Sequence, residues 1–183
     1  MEPEPVPLLW ILGIGVPLAL LLGSATRWVT RGELLVVTRR GVIVRTHGRG
    51  PALRLPLLEH TRRLPTGPEE LLLAVRVTTR DGGDVRVLLA AEVEVVPPRM
   101  GRPFVDPRRA ASTALGREVT ASAAHLATPD LAEGLTAAVY GVAERATEAA
   151  RDTGARVRDV VIDEIELLLA PGAETETPAR GPR

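Results

Sequence analysis

Twenty-two consecutive residues near the start, Pro5 to Thr26 (PVPLLWILGIGVPLALLLGSAT), carry no charge, and half of them are leucine, isoleucine or valine. As a helix they span roughly 33 Å at about 1.5 Å per residue, enough to cross the hydrocarbon core of a bilayer. Trp10 and Trp28 lie near the two ends, where indole rings favour the boundary between lipid and water. Pro5 and Pro7 fall at the start, where a missing N–H costs little, while Pro17 is mid-span and predicts a kink. A cleavable signal peptide needs a basic start, whereas this run follows the acidic Met1-Glu2-Pro3-Glu4. Gly23-Ser24-Ala25 keeps cleavage open as the alternative, but the run reads as an uncleaved anchor.

The flanks give an orientation. Arg27, Arg31, Arg39, Arg40 and Arg45 follow the run closely against the single acid Glu33, which predicts that the main domain is cytoplasmic. Gly15, Ala19 and Gly23 recur every fourth residue, a spacing that permits close contact between helices. The organisation expected is an anchor over residues 1–30, one domain over 31–170 and a disordered tail over 171–183. That tail, PGAETETPARGPR, lacks large apolar residues.

Composition narrows the chemistry. There is no cysteine, which excludes disulfides and thiolate metal sites. Formal net charge is zero, yet nine arginines lie between Arg27 and Arg63 against Glu33 and Glu59. Beside an anchor, such a basic region fits anionic lipid headgroups better than nucleic acid. Only Phe104 and Tyr140 supply aromatic rings after the anchor, too few for a base-stacking surface. The expected lipid-headgroup contacts are Arg39, Arg40, Arg49 and Arg54. Apolar residues between Ala52 and Leu58 either rest on the membrane surface beside them or form a buried loop or edge strand.

Beyond the anchor, the runs Glu33–Thr38 and Val42–Thr46 read as a hairpin across Arg39-Arg40-Gly41. Leu71–Thr79 and Val85–Val96 are the clearest strands, joined by the turn Arg80-Asp81-Gly82-Gly83-Asp84. Val85, Val87, Leu89, Ala91, Val93 and Val95 alternate onto one face of the second. Pro97-Pro98 ends it. Asp106 is a good N-cap for a helix opening at Pro107, with Ala111, Leu115, Val119, Ser122 and Leu126 on one face. Thr128-Pro129-Asp130 starts a second helix that carries Leu131, Leu135, Val139, Val142 and Ala146 and closes at Gly154. Arg156–Leu169 is a closing strand. Its apolar phase shifts between Ile162 and Ile165, which predicts a bulge near Asp163-Glu164. The fold class is α+β: antiparallel strands, two helices and a last strand behind an N-terminal transmembrane helix.

This order of strings resembles the SPFH, or Band 7, domain of stomatin- and prohibitin-like proteins. The residues that carry the resemblance are Gly32-Glu33-Leu34-Leu35-Val36-Val37 after an anchor, then Gly50-Pro51-Ala52-Leu53 with Leu55-Pro56. Thr79-Arg80-Asp81-Gly82 is similar to the family's T-x-D-G hairpin, and Gly154–Val157 with Val161–Ile165 to its closing strand. The resemblance covers about residues 27 to 169 and implies a non-enzymatic scaffold that self-associates and organises lipids or membrane proteins. It also implies partners such as FtsH-type membrane proteases or NfeD-like proteins, for which an adaptor or regulatory subunit is the alternative reading. Ala52 departs from a usual glycine, and Arg99–Val105 has no counterpart. The long helical region that follows the last strand in family members is not found here, so smaller assemblies are expected rather than a complete cage.

Nothing in the residues argues for catalysis or for a cofactor. His47, His60 and His125 lack metal-ligand spacing, with His125 expected at an exposed or half-buried position. Ser112 and Ser122 fall in a helix without a nucleophile elbow, and a tethered hydrolase built on either is the remote alternative.

Overall fold

The computed structural model describes residues 11–55 and 58–168. A π-helical turn, Ile11–Gly15, leads into helix α1, Val16–Ala25. Pro17 lies in the first turn of α1, and the wide turn precedes it, because proline cannot complete the ordinary ladder back to residue 13. The helix ends one residue before the expected Thr26. Among the described residues no helix is long and apolar enough to cross a membrane. Of the run that predicted an anchor, Pro5 to Trp10 lie outside the described residues, as do Leu169, the last residue of the expected closing strand, and the expected tail over 171–183.

Three small antiparallel sheets follow. Strands β1 (Thr26–Val29) and β4 (Gly50–Leu53) form a ribbon. Strand β2 (Glu33–Arg39) is central between β3 (Val42–His47) and β5 (His60–Pro65). Strands β6 (Glu69–Thr78), β7 (Asp84–Val95) and β8 (Ala155–Leu167) make the third sheet in that order. Helices α2 (Pro107–Ala123) and α3 (Leu131–Ala150) cover one of its faces. The architecture is α+β with antiparallel sheets, as the alternation of the strands requires.

β2 is buried on both faces, which is why its apolar run is continuous. Leu35 and Val37 meet Val29 and Ala52 of the ribbon. Leu34 and Val36 meet Ile43, Leu64 and Val95. β7 buries all six of its alternating residues against α2, α3 and the end of the β2 sheet. Asp106 caps α2 by accepting the N–H groups of Arg108 and Arg109 at 3.0 and 3.3 Å. On α2, Ala111, Leu115 and Val119 are buried and Ser122 is half-buried at the rim, while Leu126, expected on the same helical face, lies past the helix end at Ala123 and is half-buried.

β8 bulges at Asp163, since Leu88 pairs with Glu164 and the next residue, Leu89, with Ile162. A second bulge at Arg158 comes unannounced. β1 and β5 are additions to the sequence reading, while β4 bears out the edge-strand alternative for the start of the Ala52–Leu58 stretch. β1 was hidden in the flank of the apolar run, and β5 (HTRRLP) buries only Leu64. The segment Arg99–Val105 forms a clasp along β3. Ile43 N–H donates to the Arg102 carbonyl at 2.9 Å, Gly101 N–H to Ile43 at 2.8 Å and Phe104 N–H to Gly41 at 2.9 Å. The Arg62 guanidinium lies 4.9 Å above the Phe104 ring and covers the end of the clasp.

Candidate functional site

The surface beside the C-terminal end of α1 concentrates apolar and basic groups. Alternation along the ribbon turns Val29 and Ala52 inward and leaves Trp28, Pro51 and Leu53 exposed, since Trp28 pairs with Pro51 and Thr26 with Leu53. Leu55 and Leu58 are exposed in the loop that follows, and Trp28 keeps 65% of its surface in contact with solvent. Exposed apolar side chains grouped in this way mark an interaction surface. The Arg54 N–H donates to the Ala25 carbonyl at 2.8 Å, so this surface adjoins the last turn of α1. On the helix itself, Ile14, Val16 and Leu20 are exposed.

A buried carboxylate holds the loop in place. Glu59, 7% exposed, accepts from Arg45 Nη2 at 2.6 Å and from the Leu55 N–H at 2.7 Å through Oε2. The same Arg45 nitrogen donates to the Leu53 carbonyl at 2.6 Å. The chain from Leu53 to Glu59 is thereby closed around one ion pair, with Leu55 and Leu58 outside. Sequence reading overlooked this clamp. Its only signal was an isolated acid within the arginine-rich stretch.

The four arginines expected at lipid headgroups are divided. Arg54 adjoins the end of α1, and Arg49 precedes the first residue of β4. Arg39 and Arg40 turn the corner between β2 and β3 at the opposite end of that hairpin, beside the clasp. The six residues of β3 separate the two ends, about 17 Å over five steps of 3.3 Å. Arg40 holds a positive φ of 53°, as the two-residue turn requires. Trp28 belongs to the exposed surface, whereas Trp10 lies outside the described residues. Gly15 and Gly23 are exposed, and a Cβ built on Gly23 would meet nothing within 4 Å. Ala19 falls between them in α1.

The two helical serines singled out have structural partners. Ser112 donates to its own helix at Arg109, and Ser122 accepts from Arg145 at 3.3 Å. His125 is exposed. Among the described residues no three metal-ligating side chains are grouped to hold an ion. Asp81, the acid of the T-x-D-G string, bolts the β6–β7 turn to the start of α3. Its carboxylate accepts the Thr79 hydroxyl at 2.6 Å, the Thr128 N–H at 3.1 Å and the Thr128 hydroxyl at 2.9 Å. The Thr79 hydroxyl, followed by these Thr128 donors, lowers its pKa from 3.8 to about 2. A depressed carboxyl stabilises the fold above its unfolded pKa and loses that contribution as pH falls through the folded one. The melting temperature of the native protein is therefore expected to exceed that of an Asp81→Asn variant above pH 4, with the gap closing between pH 4 and pH 2. A gap that stays constant across that range would refute the assignment.

The profile of the SPFH domain / Band 7 family matches residues 28–167. The chain belongs to this family. Comparison with curated proteins finds no match. The SPFH match begins at Trp28, within β1, and ends on the last residue of β8, so the second half of β1, all of β4 and the clamped loop fall inside it. The family is in general membrane-associated and made of non-enzymatic scaffolds.

Proposed function

We propose that this SPFH protein is a membrane-anchored scaffold that self-associates and lies with the Trp28–Leu53–Leu55–Leu58 surface against an anionic leaflet. The observation that carries the reading is the continuity of that surface with the end of α1. The uncharged run from Pro5 to Thr26 is the anchor, entered once, and the arginines after it keep the domain in the cytoplasm. Trp28 and the three leucines enter the headgroup region, and Arg49 and Arg54 meet lipid phosphates. Arg39 and Arg40, at the far end of the β2–β3 hairpin, contribute less. A scaffold of this kind gathers lipids and membrane proteins around it, and an FtsH-type protease or an NfeD-like protein is the class of partner it would serve as an adaptor.

Trp28 becomes the only indole after Trp10→Phe, because the chain has two tryptophans. In the full-length protein reconstituted with anionic lipid, its emission is expected to be blue-shifted and quenched by brominated acyl chains. Reversing Arg49 and Arg54 to glutamate should reduce the quenching, at roughly 1 kcal/mol of membrane attraction per arginine, and reversing Arg39 and Arg40 should reduce it less. Water-like, unquenched emission from Trp28 would sink the proposed orientation.

A further inference from the structure

The two edges of the β6–β7–β8 sheet are built differently. β8 carries bulges at Arg158 and Asp163 and exposes Arg156, Asp159 and Glu164, features that discourage pairing with another strand. β6 runs ten residues without a bulge or a proline, and β7 is its only strand partner among the described residues. Its only blunting devices are the charges of Glu69, Glu70 and Arg76, and the two at Glu70 and Arg76 are of opposite sign.

Its backbone can be read for direction. Thr79 N–H donates to the Gly83 carbonyl at 2.9 Å, which makes that pair a bonded one. Bonded and unbonded pairs alternate down an antiparallel ladder, and the β6–β7 register is unbroken from Glu69 to Thr78. The odd-numbered residues of β6 therefore bond to β7. Glu70, Leu72, Ala74 and Arg76 turn their N–H and C=O groups to the open edge. The side chains of these same four are exposed, Leu72 by 71%.

We propose that two copies of the chain join here, β6 to β6 and antiparallel, with Leu73 on the two-fold axis. This rests on the self-association proposed above and assigns it a surface. Only shifts of two residues keep outward-turned backbone groups opposite one another. Of these, the register centred on Leu73 sets Glu70 opposite Arg76 of the partner subunit and Leu72 opposite Ala74 of the partner subunit. It thus pairs charge with charge and apolar with apolar on the same face.

The charge on this face supports the choice. Within one chain Glu70 pairs across the sheet with Glu92, and Glu92 with Asp159, so three carboxylates stand in one row. No ion pair reaches Glu70 among the described residues. Like charges placed directly opposite are unfavourable, and a guanidinium from a second chain offsets them. Arg76 already pairs with Asp84 and retains donors for a second carboxylate. Beneath the edge, an open groove of about 520 Å³, lined by Val75, by Gly116, Arg117, Glu118, Thr120 and Ala121 of α2 and by Ala124 just past its end, leaves room for the facing copy.

The absence of cysteine makes the test specific. Full-length Leu72→Cys and Ala74→Cys proteins, reconstituted together and oxidised, are expected to form a disulfide-linked dimer. Either protein alone should link far less, because directly opposite Cα atoms lie within disulfide reach and the diagonal ones do not. Glu70→Arg or Arg76→Glu should each weaken association by roughly tenfold, and the double exchange should restore it. Mixed proteins that fail to link, or that link no better than either alone, overturn this interface. If light scattering still finds a dimer or larger species in that case, the self-association reading survives through another surface. A monomer by light scattering overturns both.

Discussion

Replacing Gly154 by alanine is expected to destabilise the domain by about 3 kcal/mol, the largest loss from any single methyl group added to this fold. Two costs combine. Gly154 holds a φ of +83°, which costs an L-residue roughly 1–2 kcal/mol. A Cβ there would also come within 3.0 Å of Pro98 Cα, at 2.9 Å from the Pro98 nitrogen and closer still to the Val96 carbonyl oxygen. These are backbone atoms at the end of β7, and they cannot swing aside as a side chain would. Overpacking of that kind costs roughly a further 1–3 kcal/mol. Val96 N–H donates to the Gly154 carbonyl at 2.9 Å, so retreat would break the bond that joins β7 to the start of β8. Thermal unfolding should show the loss as roughly 6–12 °C. Gly101→Ala is the control, since Gly101 has a φ of +78° and nothing within 4 Å of its would-be Cβ. It should cost only the conformational share. Equal losses at the two sites would show that the close approach at Gly154 is not a constraint.

The legibility of Gly154 illustrates which parts of this fold the chain announces. Its place after an alanine-rich helix marked it as a helix end, and local chemistry was enough for that. Periodicity likewise exposed the buried face of β7 and the bulge at Asp163, because a phase shift of apolar residues has few other causes. What stayed hidden depends on partners distant in sequence. β5 shows no apolar alternation, since an edge strand needs only one buried residue, Leu64, to be held by β2. β1 is four residues long, and its identity comes from pairing with β4 across as many as 27 positions, as with Thr26 and Leu53. The segment Arg99–Val105 looked arbitrary for the same reason, because its bonds run to β3. In the candidate site, the basic and apolar residues were visible as composition. Their division into two ends of a hairpin was not, since register alone separates Arg39 and Arg40 from Arg49. The T-x-D-G string was recognisable, but its chemistry, one carboxylate accepting from Thr79 and Thr128, needs a contact across 47 residues.

Glu59→Ala should release the loop proposed to face the membrane without unfolding the sheets, and it connects the two halves of the proposed function. Removing the carboxylate takes the partner from Arg45 and from the Leu55 N–H together. Breaking a largely buried ion pair on one side costs about 3 kcal/mol, and the part-exposed guanidinium places this site toward 2 kcal/mol. The loss is local, because the partners of Glu59, Arg45 and the Leu55 N–H, lie in β3 and the loop and not in the β6–β7–β8 sheet or its helices. Hydrogen exchange is expected to accelerate at the Leu55, Leu58 and Glu59 amides. The latter two donate to the Leu55 carbonyl at 3.3 and 3.1 Å, and amides of β7 should remain protected. Lipid contact should weaken in parallel: Leu55 and Leu58 would have to be ordered at the bilayer surface, at an entropic cost the clamp removes in the native protein. Glu59→Gln separates the charge from the shape. It keeps an oxygen for the Leu55 N–H and should retain most of the protection and most of the Trp28 quenching. If Glu59→Ala accelerates exchange but leaves quenching by brominated lipid unchanged, the clamp stabilises the fold alone and the loop is not part of the membrane-facing surface.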